Sequence, residues 1–125
     1  MLKKKILVID DEENIRKYLK LSLKDTEEYR ECEVILAPSG EEGLQFVKQH
    51  KPDLVLLDIV MPGMDGLETL KKIKEIDKEI PVCMVTAVWS GEEGKQCFDA
   101  GAYDYITKPI DFEYLKTAIF VKLLV

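Results

Sequence analysis

Histidine, tryptophan and arginine are scarce in these 125 residues, and cysteine is sparse. His50 is the one histidine, at the end of a helical segment, so no general-base triad of the Ser-His-Asp kind can be assembled around it. Arg16 and Arg30 are the only arginines and the net charge is −6, which argues against direct contact with nucleic acid. The three cysteines, Cys32, Cys83 and Cys97, lack metal-binding or redox spacing; their odd number suits free thiols in a reducing cytoplasm. No apolar run approaches a membrane span. The opening "MLKKKILVIDDEEN" is no signal peptide, because its short apolar run leads straight into acidic residues. What remains is ordinary globular composition, 46% hydrophobic and 34% charged, expected to form a single domain over residues 1–125.

Five short runs rich in Ile, Val and Leu read as strands: Lys5–Ile9, Glu33–Ala37, Leu54–Leu57, Val82–Val85 and Tyr103–Ile106. Helical periodicity fills the intervals. Ile15, Leu19 and Leu23 recur at four-residue steps; Leu44 and Val47 follow Ser39, a plausible N-cap; Leu67, Leu70 and Ile73 come next. The fourth helical segment, "GEEGKQCFDAG", is weak and interrupted by Gly94, and the fifth, "DFEYLKTAIFVKLLV", begins at a capping Asp111. Strands that are apolar throughout and alternate with helices indicate a parallel sheet covered on both faces, an open doubly wound α/β fold. In such sheets the working groups stand at the carboxyl ends of the strands.

Those ends are polar in a complementary way. The first strand runs into Asp10 and Asp11, the third into Asp58, the fourth into Thr86 and the fifth into Lys108. Carboxylates crowded together repel and raise one another's pKa, and a hard divalent cation relieves this. Mg²⁺ or Mn²⁺ suits such oxygen ligands. Lys108 can hold a phosphoryl oxygen from the other side and Thr86 can donate a hydrogen bond to one. Asp58, at the end of the apolar run "LVLL", is the group best placed as nucleophile, and a carboxylate nucleophile forms an acyl phosphate.

The stretches "ILVIDDEENIR", "DLVLLDIVMPGMDGLE", "VTA" and "AGAYDYITKPID", in this order and spacing, resemble the receiver domain of two-component response regulators over essentially the whole chain. The resemblance implies a five-stranded parallel sheet of order 2-1-3-4-5 with five helices. It implies that Asp58 is the phosphoacceptor, served by a sensor histidine kinase or a small phosphodonor. Such a domain is no enzyme in the usual sense; it promotes its own phosphoryl transfer and slow dephosphorylation. Asp10 and Asp11 are implied to organise the metal with Asp58 and the backbone carbonyl of Val60, Asp11 being favoured as the direct ligand of the acidic pair. Thr86 and Tyr105 are implied to be the switch residues, Lys108 the cation partner of the phosphoryl group, and Lys108–Pro109 a cis peptide. The same likeness implies a helix 4–strand 5–helix 5 surface that controls an output domain or protein partner or forms a homodimer, with no membrane contact and a cytoplasmic setting. It also leaves room for the chain to be the N-terminal part of a longer regulator.

Several positions depart from the common pattern or stand out against it. Val60 and Val88 place aliphatic groups where the family's side chains flank the path of attacking water, which predicts slow loss of phosphate; alternatively both valines merely pack the rim. Trp89, beside Ser90, Gly91 and Gly94, is either a partner-binding knob or a hydrophobic lid. Tyr18 is a better kinase contact than Ile15, which also fits a core stripe. The segment "AIFVKLLV" is apolar on more than one face and lacks the arginines of receivers that dimerise through charged pairs, which favours an apolar contact or an effector domain of the ATPase type joined by a linker. A flavin carrier of the same fold needs small residues where this chain has "DDEEN". A phosphatase with an aspartate nucleophile usually has two aspartates one residue apart after its first strand. A degenerate receiver needs a missing acid, Thr or Lys, and none is missing.

Overall fold

The computed structural model describes residues 3–88 and 90–124. Five strands and five helices alternate: β1 (Lys5–Ile9), α1 (Glu13–Lys24), β2 (Glu33–Ala37), α2 (Gly40–His50), β3 (Leu54–Leu57), α3 (Gly66–Ile76), β4 (Val82–Thr86), α4 (Gly91–Asp99), β5 (Asp104–Thr107) and α5 (Phe112–Leu123). All pairings are parallel and the order is β2-β1-β3-β4-β5, as the family resemblance implies.

The apolar strands are explained by what covers them. Successive side chains point to opposite faces, so Ile6, Val8, Leu54, Leu56, Cys83 and Val85 meet Leu19 and Leu23 of α1 and Leu115, Ile119 and Leu123 of α5. On the other face Leu7, Ile9, Val55, Leu57, Val82 and Met84 meet Leu44 and Val47 of α2, Leu70 and Ile73 of α3, and Cys97 of α4. Each such side chain removed from water contributes about 2 kcal/mol. The two layers therefore clamp β1, β3 and β4, whose carboxyl ends carry the polar groups of interest.

Helix starts follow the sequence. Ser39 accepts from the Glu42 amide at 3.2 Å, Asp65 from Glu68 at 2.9 Å, Ser90 from Glu93 at 3.5 Å, and Asp111 from the Glu113 and Tyr114 amides. The exception is α1, where Glu12 occupies the N-cap position and its side chain makes no capping bond. The weak fourth segment is a helix of nine residues, and Cys97 is its one fully buried apolar side chain, which is why its periodicity is faint. Strand boundaries shift slightly from expectation. β4 takes in Thr86, and β5 begins at Asp104 because pairing with β4 starts at Cys83–Asp104, just after the turn at Gly101 (φ 111°). Among the described residues no helix is long and apolar enough to cross a membrane.

Helix α5 is tied down by two tyrosines. The Tyr29 hydroxyl donates to the Lys116 carbonyl, and that of Tyr103 to the Ala118 carbonyl. Burial, with a smaller push from Glu28 and Cys32, raises the Tyr29 pKa to about 12. A phenol whose folded pKa lies above its unfolded value stabilises fully below about pH 10, and the contribution is lost as pH rises towards 12. Tyr29→Phe should therefore cost about 1 kcal/mol at pH 8, the worth of one hydrogen bond. By pH 11 the wild type loses about 1 kcal/mol that the variant does not, so the gap in urea-unfolding free energy closes. A gap that stays constant with pH would show that the phenol does not titrate with unfolding.

Candidate functional site: an acidic pocket closed by one lysine

The polar groups at the strand ends meet around one ammonium. Lys108 Nζ lies 2.8 Å from Asp10 Oδ2, 3.1 Å from Asp58 Oδ2 and 3.2 Å from Glu12 Oε1. The Asp10 and Asp58 side chains are almost wholly buried, whereas that of Glu12 is 59% exposed. Lys108 reaches this point from the loop after β5: its amide donates to the Thr86 carbonyl, and the Lys108–Pro109 peptide is cis.

The two aspartates are also fixed by backbone. Asp10 Oδ1 accepts from the Glu12 amide at 2.9 Å, and the Asp10 carbonyl accepts from Arg16 Nη1 at 2.8 Å. Asp58 Oδ1 accepts from the Val60 amide at 3.3 Å, and the Asp58 amide donates to the Ile9 carbonyl. The loop after β3 is pressed between the sheet and the start of α3. A side chain at Gly66 would run into the Asp58 carbonyl, and the Gly66 amide donates to the Ile59 carbonyl at 2.7 Å. Glycine is required there by space and not by torsion.

Burial raises the Asp10 pKa above the ordinary carboxylate value, opposed by its bonds to Lys108 and to the Glu12 amide. For Lys108, burial favours the neutral amine. The hydrogen bonds and charges of Asp10 and Asp58 outweigh it and carry the ammonium well above the usual lysine range. The lysine is thus a permanent cation within a buried anionic site.

Asp10, Asp11 and Asp58 each present a carboxylate oxygen within 4.8 Å of the others. Three hard oxygens with an exposed Asp11 fit a divalent cation such as Mg²⁺, which retains several waters, better than a softer metal. An open pocket lined by Asp11, Glu12, Asp58, Val60, Ala87 and Val88 forms the mouth. The two valines differ: Val60 is 61% exposed, whereas Val88 packs partly into the core beneath α2, α3 and α4.

Thr86 is fully buried and its hydroxyl accepts from the Val88 amide at 3.2 Å. Tyr105 lies on the adjoining strand, half-buried, with its hydroxyl donating to the Val88 carbonyl at 2.8 Å. Its ring borders a groove that Ser90, Gly91, Gly94, Lys95, Phe98 and Thr107 also line, with a volume of about 660 Å³. Tyr18 is exposed and meets Phe112 edge-on at 6.2 Å, while Ile15 packs against the core. Trp89 lies outside the described residues. The structure thus brings Asp10, Asp11, Asp58, Thr86 and Lys108 to one edge, with Val60 at its rim. Sequence reasoning missed Glu12 and Arg16, and reads Gly66 only as one of the glycines of the loop after β3.

Known proteins share this fold. The model of the response regulator receiver domain matches residues 6–120. The chain is 36% identical over 119 residues to Sporulation initiation phosphotransferase F of Bacillus subtilis, covering 95% of this chain and 93% of that protein. It is 39% identical over 119 residues to the uncharacterized transcriptional regulatory protein YkoG of Bacillus subtilis, covering 95% of this chain and 50% of that one. The chain likewise spans about half the length of several other regulators it matches. Among solved structures, a receiver domain protein from Methanospirillum hungatei superposes with a TM-score of 0.89 at 34% identity, covering 98% of this chain and 94% of that chain. The BeF3-activated DrrB receiver domain does so with 0.87 at 31%, covering 98% of each. Fold, matched span and full-length relatives agree: the chain belongs to the response regulator receiver domains, the phosphorylatable domains of two-component systems.

Proposed function

We propose that Asp58 accepts a phosphoryl group from a sensor histidine kinase, or from a small acyl phosphate, in a Mg²⁺-dependent reaction, and that its arrival alters the α4–β5–α5 surface. The observation that carries this reading is a buried Asp58 carboxylate held by a permanent lysine cation at the mouth of an acidic pocket. An Asp58 oxygen forms the bond to phosphorus as the phosphorus–nitrogen bond of the donor histidine breaks, and the leaving imidazole takes its proton from water. Asp10, Asp11, Asp58 and the Val60 carbonyl would hold Mg²⁺. That ion, when bound, neutralises charge on the transferring group. Lys108 supplies the fixed positive charge on the opposite side.

Thr86 is the group that answers. Its hydroxyl accepts from the Val88 amide, and its own O–H can donate to a phosphoryl oxygen. Tyr105 is anchored to the Val88 carbonyl, so a shift of the Thr86–Val88 turn reaches its ring. Beside that ring Gly94 offers no side chain, and the groove leaves it room. The exposed Phe98, Tyr114, Phe120 and Val121 form the apolar part of the surface that an output domain, a protein partner or a second copy would read. The half-length match to transcriptional regulators supports a receiver joined to an output domain, and the match to the sporulation phosphotransferase supports one that passes its phosphoryl group on.

Intact-mass measurement after incubation with acetyl phosphate and Mg²⁺ should find one base-labile phosphoryl group. It should be absent with Asp58→Asn and absent when the metal is chelated; an adduct that survives Asp58→Asn would place the acceptor elsewhere. Aliphatic groups at the mouth cannot orient attacking water. Val60→Asn combined with Val88→Gln should therefore speed loss of the phosphoryl group several-fold in a decay assay, and an unchanged half-life would assign both valines to packing alone.

A further inference from the structure

An ammonium has three N–H donors, and in this structure all of those of Lys108 face carboxylates: Asp10, Asp58 and Glu12. For Lys108 to donate to a phosphoryl oxygen, one of these bonds must open. Releasing Asp10 or Asp58 before transfer would leave a buried carboxylate without its cation, which is costly. Releasing Glu12 is cheap, because its side chain is 59% exposed and water replaces the lysine at once.

A second observation concerns where Glu12 sits. It holds the N-cap position of α1 but makes no capping bond, unlike the cap residues of α2, α3, α4 and α5, and its carboxylate instead reaches Lys108 across 96 positions of sequence. It also lines the mouth beside Asp58.

Resting on the phosphoacceptor reading of Asp58, we propose that Glu12 is a positioning residue. It occupies the third donor of Lys108 in the unphosphorylated state and yields it to the incoming phosphoryl oxygen. Glu12 thus acts as a removable stand-in for the phosphoryl group, setting how readily the site charges. It forms no bond to the donor itself. Nothing is transferred in this step: one hydrogen bond exchanges its acceptor.

The test compares wild type with Glu12→Gln, which keeps the shape and removes the charge. Initial phosphorylation rates are measured with acetyl phosphate and with the less negative phosphoramidate. Glu12→Gln should accelerate both by a similar factor, on the order of two- to fivefold, the worth of a half-exposed ion pair. The unfolding midpoint in metal-free buffer should hardly move. A rate unchanged in Glu12→Gln would overturn the proposal. So would an acceleration confined to the more negative donor, which would make Glu12 a simple repulsive charge. A wild-type protein that takes no phosphoryl group from either donor or from a histidine kinase would instead refute the phosphoacceptor reading, and this proposal with it.

Discussion

One ammonium among three carboxylates organises the site. Asp10 and Asp58 end neighbouring strands at the buried edge of the sheet, where two negative charges without a cation could not both persist. Lys108 arrives from the far side of the sheet and meets both, and its own burial is offset by the charges it neutralises. Replacing such a cluster with apolar residues often stabilises a protein, so its presence is a mark of use more than of stability. One ammonium does not balance Asp10, Asp11, Glu12 and Asp58, and the excess negative charge at the open mouth suits a divalent cation.

The fold supplies the precision. Parallel strands β1, β3 and β4 sit at the centre of the sheet with helices on both faces, and their apolar side chains are packed to near-zero exposure. Asp10 and Asp58 therefore extend from the most rigid part of the molecule. The elements on the α4–β5–α5 side are less firmly buried. α4 has one fully buried apolar side chain, β5 is an edge strand, and α5 presents Phe120 and Val121 to solvent. A rigid site edge beside looser elements suits the proposed switch, since segments that change state are drawn from the less stable parts of a fold.

Sequence patterning disclosed the layout because burial on both faces leaves an unmistakable apolar run, as in "LVLL" before Asp58. Capping chemistry was legible at Ser39 and Asp111, where short polar side chains bond locally. Less was visible where the deciding contact is long-range. Glu12 reads as one more acid in "DDEEN", and only the folded chain brings it to Lys108. Tyr103 reads as the first residue of β5, yet pairing with β4 begins one residue later. The two valines at the mouth are chemically alike in sequence and differ in burial, because Val88 leans on the core and Val60 stands above the loop.

The central claim is that Lys108 neutralises a buried acidic site that is also built for a divalent cation. Its most direct test is the unfolding free energy of Lys108→Met, measured in chelator and then with Mg²⁺. Removing the ammonium should cost about 3 kcal/mol or more in chelator, as for other broken buried ion pairs, and Mg²⁺ should restore much of it. A variant as stable as wild type in chelator, or one that Mg²⁺ leaves unchanged, would contradict the account.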